Sequence, residues 1–139
     1  MKVAIRYYSR GGNTKKLALA IGETLGVEAL PVDTGLKEPV DVLFLGSSVY
    51  AAGVDAQVKA FLAGLSVPVG QLVNFSTAAI LSSTYGQVKK LAQARGIPVS
   101  PREFHCRGSF ALLHRGRPDA DDVARVQAFA REIAAGLKD

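Results

Sequence analysis

The stretch Ser9-Arg10-Gly11-Gly12-Asn13-Thr14 constrains this chain more than any other. An apolar run, Val3 to Tyr8, leads into it. A helical pattern leaves it, with apolar positions at Leu17, Ala18, Ile21 and Leu25. The order is strand, tight loop of small residues, helix. Such an arrangement turns the N–H groups of the helix's first turn toward whatever lies over the strand end. Those donors and the positive end of the helix dipole favour an anion, most often a phosphate. Gly11 and Gly12 remove side chains where the backbone approaches a ligand. Ser9, Asn13 and Thr14 add short polar groups, and no Asp or Glu lies between Met1 and Ile21. Two familiar phosphate loops are excluded. Lys15 sits at the wrong offset for Gly-x-x-x-x-Gly-Lys-Ser/Thr, and Gly11-Gly12 does not supply Gly-x-Gly-x-x-Gly.

The rest of the chain repeats the unit. The first strand is read over Lys2–Tyr8, and the first helix over Asn13–Leu25 with Gly26 as its stop. A short strand follows at Glu28–Val32, then a loop from Asp33 to Pro39. Val40–Leu45 is a nearly continuous apolar run, as a strand buried on both faces should be. Arg6 is out of place in the first strand by the same rule and needs the sheet edge or a carboxylate. A second small-residue loop, Gly46 to Gly53, precedes a helix over Asp55–Leu65. A fourth strand spans Gln71–Phe75, a third loop Ser76–Thr84, and a helix Tyr85–Arg95. Val99–Phe104 and Ser109–Leu113 both read as a fifth strand, interrupted by a bulge at His105–Gly108. Pro118-Asp119 opens the last helix, whose apolar side is Val123, Val126, Phe129, Ala130, Ile133 and Leu137.

Five strands alternating with four helices predict an α/β doubly wound parallel sheet as a single domain over residues 1–139. Right-handed crossovers bring the strand C-terminal ends to one edge. The loops after strands 1, 3 and 4 all lie there, and the switch-point rule puts the ligand among them.

At this point the sequence resembles the flavodoxin family, small FMN-binding electron carriers. Ser9, Gly12, Asn13 and Thr14 match the family's Thr/Ser-x-Thr/Ser-Gly-Asn-Thr loop, with Gly11 in place of a hydroxyl residue. The resemblance runs through all 139 residues in element order, as in a short-chain member. It implies the strand order 2-1-3-4-5 and FMN as cofactor. It assigns the phosphate to Ser9, Arg10, Gly11, Gly12, Asn13 and Thr14. It assigns the isoalloxazine to Ser47, Ser48, Val49, Tyr50, Ala51, Ala52 and Gly53, and to Ser76, Thr77, Ala78 and Ala79, with Tyr50 beside the ring. The function implied is electron transfer to a redox partner protein. The alternatives are an FMN-dependent quinone or NAD(P)H oxidoreductase, and a flavin-free module that binds a phosphate ligand. A phospho-receiver domain shares the architecture. It needs acids where this chain has Tyr8-Ser9 and Gly46-Ser47, so it is set aside.

Composition bears on partners and setting. The formal charge is +5, which suits a partner with an acidic face. Lys and Arg are dispersed and not interleaved with aromatics, so nucleic-acid binding is not expected. No apolar run approaches a membrane span, no leader pattern opens the chain, and oligomeric state is not legible. A single cysteine, Cys106, makes no internal disulfide, and a reducing cytoplasm is the simplest setting. Cys106 next to His105 reads as a small buried thiol and not as a nucleophile. His105 and His114 lack a ligand set for a metal. Asp119, Asp121 and Asp122 read as a helix start, and Tyr85 as a first-turn residue.

Overall fold

Side chains alternate along the buried strands and so divide the core in two. Val42 and Phe44 face one side of the sheet, while Leu43 and Leu45 face the other. The structure, a computed structural model, describes residues 1–49, 54–78, 83–108 and 116–137. Its elements in chain order are β1 (Val3–Tyr7), α1 (Asn13–Leu25), β2 (Ala29–Pro31), β3 (Val40–Val49), α2 (Ala56–Ala63), β4 (Val69–Ala78), α3 (Tyr85–Gln93), β5 (Phe104–Arg107) and α4 (Ala120–Leu137). The sheet is parallel throughout, in the order β2-β1-β3-β4-β5. The fold class and strand order therefore match the expectation.

On one face, Leu17, Ala18 and Ile21 of α1 and Val126, Phe129, Ala130 and Ile133 of α4 pack on Ile5, Phe44, Val73 and Phe75. On the other, Val58, Phe61 and Leu62 of α2 and Val88 and Ala92 of α3 pack on Leu43, Leu45 and Leu72. These are the helical stripes that the 3.6-residue period predicts. Arg6 solves its burial by donating Nε to the Gly35 carbonyl (2.8 Å) and Nη1 to the Ile5 carbonyl (2.9 Å). Burial lowers its pKa, and Glu28 opposes that shift. No helix among the described residues is long and apolar enough to cross a membrane.

Three boundaries differ from the sequence reading. β3 continues from Leu45 to Val49, and β4 from Phe75 to Ala78, with Gly46 to Val49 registered against Phe75 to Ala78. The sequence reading ended β3 where its apolar run meets the small-residue loop at Gly46, and ended β4 near Phe75 because the apolar run to Leu81 is longer than a typical strand. Here the hydroxyls satisfy one another and the ladder runs on. The fifth strand contains His105-Cys106-Arg107 instead of being interrupted there. Phe75 to Ala78 pair with Phe104 to Arg107, and Val99 makes only an isolated bridge to Leu72. Ser109–Leu113 lies outside the described residues. After β2, Val32–Thr34 forms one 3-10 turn.

Candidate functional site

The C-terminal ends of β1, β3 and β4 meet the start of α1. Gly12 caps that helix with φ +89°, a left-handed conformation that a side chain would strain. No side chain caps α1, and its first turn holds no acid. Ser9 Oγ accepts from the Gly12 N–H at 3.0 Å and closes the loop. Among the described residues, a Cβ built on Gly11 or Gly12 would meet nothing within 4 Å, so they leave the outer face of the loop open. At Gly46 the opposite holds. A Cβ there would stand 2.4 Å from the Phe75 ring and 2.9 Å from Thr14 Cγ2, so only glycine lets α1 lie this close to the sheet.

Thr14 points inward. It is fully buried, and its Oγ1 lies 3.1 Å from the Ser47 carbonyl, 2.6 Å from Ser48 Oγ and 2.9 Å from Thr77 Oγ1. One hydroxyl has one proton and two lone pairs, so these three partners use it up. The Thr14 side chain therefore ties α1 to β3 and β4. What it offers outward is its place in the first turn of the helix backbone.

A second buried polar group adjoins the first. Ser47 Oγ donates to Thr84 Oγ1 (2.8 Å), Asn74 Nδ2 donates to the same oxygen (3.1 Å), and the Thr84 N–H reaches Ser76 Oγ (3.4 Å). Ser47, Ser76, Asn74 and Thr84 are all fully buried. Among the described residues every buried side-chain nitrogen and oxygen has a partner. Asn74 and Thr84 were not singled out from the sequence. The only available signal was a polar residue inside an otherwise apolar run.

Arg10 leaves the first loop and ion-pairs with Asp55, Nη2 to Oδ2 at 2.9 Å. Asp55 is almost buried there, and its Oδ1 also accepts from the Gln57 N–H (3.1 Å) as the cap of α2. Asp55 lies just past the second loop and gives the Arg10 charge a local counter-ion. Asn13 abuts the end of β5. A Cβ on buried Gly108 would come within 2.8 Å of its Nδ2.

Of the expected site residues, Ser9 to Thr14, Ser47 to Val49 and Ser76 to Ala78 thus gather at one sheet edge. Tyr50, Ala51, Ala52, Gly53 and Ala79 lie outside the described residues.

No protein-family model matches the sequence, and no curated protein is significantly similar to it. Solved structures do match. An archaeal flavodoxin superposes with a TM-score of 0.78 at 16% identity over 100% of both chains. Flavodoxin 2 from Bacillus cereus gives 0.75 at 18% identity, over 98% of this chain and 99% of its own. The fold is flavodoxin-like. Rubredoxin oxygen:oxidoreductase from Desulfovibrio gigas gives 0.77 at 17% identity, with this chain covering 36% of that one. The flavodoxin-like frame thus also occurs as part of a longer chain.

Several other reactive groups among the described residues of this flavodoxin-like chain are held in structural contacts. Cys106 is 6% exposed, and burial, reinforced by Asp122, pushes its thiol from 9.0 to about 12. It is a neutral thiol at ordinary pH. Tyr85 donates its hydroxyl to the Ser100 carbonyl (3.0 Å). His105 Nδ1 lies 2.9 Å from Glu103, whose Oε1 also accepts from Ser83. At the start of α4 the backbone N–H of Asp119 and that of Asp122 each donate to the other's carboxylate, 2.9 Å each, while Arg117 and Arg125 hold the Asp122 carboxylate. A cavity of about 650 Å³ lies far from the loop, against the first residues of β1 and the segment Thr34–Glu38. It mixes Lys2, Arg6 and Lys37 with Glu28 and Glu38 and takes no part in the site.

Proposed function

We propose that this chain binds FMN and carries electrons to a partner protein in the manner of a flavodoxin. The observation that carries this reading is the loop at Gly11 and Gly12, open among the described residues and set on a helix start that no side chain caps and whose first turn holds no acid. The residues present fit a phosphate there, since backbone N–H groups and the helix dipole are the donors such a group needs. The Thr14–Ser48–Thr77 cluster supports the reading by fixing the loop against two strand ends. Ser47 to Gly53 and Ser76 to Ala79 would then flank the isoalloxazine, with Tyr50 beside it. FMN would supply the redox chemistry; these residues would bind and orient it and set the local charge.

The partner would present an acidic face to a chain of net charge +5. The single free cysteine, buried at position 106, is consistent with a reducing cytoplasm. Flavin titration followed by absorbance and fluorescence tests the proposal. Saturable FMN binding with quenched flavin fluorescence is expected. Protein that stays colourless after incubation with FMN refutes the reading.

A further inference from the structure

Beside the phosphate loop, on the face covered by α2, lies a second cleft of about 260 Å³. It opens where β1 and β2 end and is lined by Tyr8, Ser9, Pro31, Val32, Asp33 and Gln57, together with Tyr7. This is just below the range of drug-sized ligand cavities, about 300–1,000 Å³, a size for a ligand no larger than one nucleoside. Its chemistry is divided. Tyr8, Pro31 and Val32 form an aromatic and apolar wall. Asp33 brings an exposed carboxylate, and Gln57 an amide that both donates and accepts. Arg10, bridged to Asp55, stands beside Tyr8 next to this opening.

We propose that this cleft binds a ribonucleoside whose 5′-phosphate lies toward Ser9–Thr14. Three observations lead there. Ser9 belongs both to the cleft and to the phosphate loop, so one ligand can span the two. Asp33 follows β2, the strand paired with β1, and lies twenty residues beyond Asn13. In parallel sheets that bind dinucleotides, a carboxylate about 20 residues beyond the loop accepts the ribose hydroxyls. Gly-x-Gly-x-x-Gly is absent here; the likeness is in the carboxylate's chain position, just past the strand beside β1. Finally, the cleft combines a carboxylate, an amide and an apolar wall, the groups that a cis-diol, a base edge and a base face call for. The nucleoside part of the site is separate from the isoalloxazine loops; its phosphate would share the Ser9–Thr14 loop with that of FMN.

AMP is the probe, titrated into the full chain and followed by backbone amide shifts. Saturable shifts at Tyr8, Asp33 and Gln57 are expected. Removing the diol, with 2′,3′-dideoxy-AMP, should weaken binding about tenfold, as should Asp33→Ala. Asp33 is exposed, so that variant folds. Absence of saturable AMP binding, or equal affinity for AMP and its dideoxy analogue, overturns the proposal. Competition then separates the sources of this group. FAD binding more tightly than FMN assigns it to a flavin dinucleotide. NADH displacing AMP, with FAD no tighter than FMN, assigns it to a nicotinamide dinucleotide. FMN titration of a separate, AMP-free sample reads the flavin site, because both phosphates would take the Ser9–Thr14 loop. Loss of AMP binding with FMN retained strikes only this inference, and the reverse strikes only the flavin reading.

Discussion

Thr14 shows how one hydroxyl holds two layers together. Thr14→Val keeps the shape and the Cγ2 contact at Gly46 but leaves the Ser47 carbonyl and the hydroxyls of Ser48 and Thr77 short of a partner. Urea unfolding should show a loss of about 1–3 kcal/mol, the cost of unsatisfied buried polar groups. A loss within error of zero would mean that water replaces the hydroxyl. Cys106 makes the opposite point, since burial silences it. A rise from 9.0 to about 12 lowers the thiolate fraction about a thousandfold. Native protein should therefore react with a disulfide reagent about a thousandfold more slowly than urea-unfolded protein. Stopped-flow kinetics at constant pH would check this.

Helix starts carry most of the charge pairing. Asp55 caps α2 and also receives Arg10. Asp55→Ala removes both functions and should cost about 1–2 kcal/mol, mostly from the cap. Arg10→Ala removes only an exposed, solvent-screened partner and should shift stability much less. Comparing the two variants by denaturant midpoint tests whether cap or ion pair dominates. At α4, Asp122 is 1% exposed on its side chain and takes Arg117 at 2.5 and 2.8 Å. Arg117, joined by Arg125 and the Asp119 N–H, holds this carboxyl well below the usual carboxylate range. A depressed folded value means that the pair's contribution is complete above the unfolded pKa, near about 4, and is lost as pH falls through the folded value. Asp122→Asn should cost about 3 kcal/mol at neutral pH, toward the low end for a broken buried pair because Arg117 is 32% exposed. Its stability should also fall less steeply than the native protein's below about pH 4. Thermal melts from pH 7 to pH 2 give both numbers.

Over the whole molecule, a charge of +5 and an isoelectric point near 9.6 set the long-range field. Arg10, Arg117 and Arg125 spend much of their charge on Asp55 and Asp122. The steering field therefore belongs to the surface as a whole and not to the loop arginine. Association with an acidic protein partner should slow as ionic strength rises from about 10 to 150 mM, where the Debye length falls from about 30 to 8 Å. Rates that do not change with salt would remove charge as the basis of partner choice.

The sequence by itself determined the strand–loop–helix unit at residues 2–25, the parallel sheet, the helical stripes and the edge on which the small-residue loops gather. Those follow from local period, glycine placement and crossover handedness, which are properties of neighbouring residues. Tertiary structure alone decided where β3 and β4 end. It also turned Thr14 inward and joined Arg10 to Asp55 across 45 positions. It placed the fifth strand at Phe104–Arg107 and set Asp33 beside Tyr8 and Gln57. The reason is the same in each case. A polar residue in an apolar run reads as a strand's end until a partner distant in sequence satisfies it, and packing of the two helical layers on the sheet is what brings that partner near.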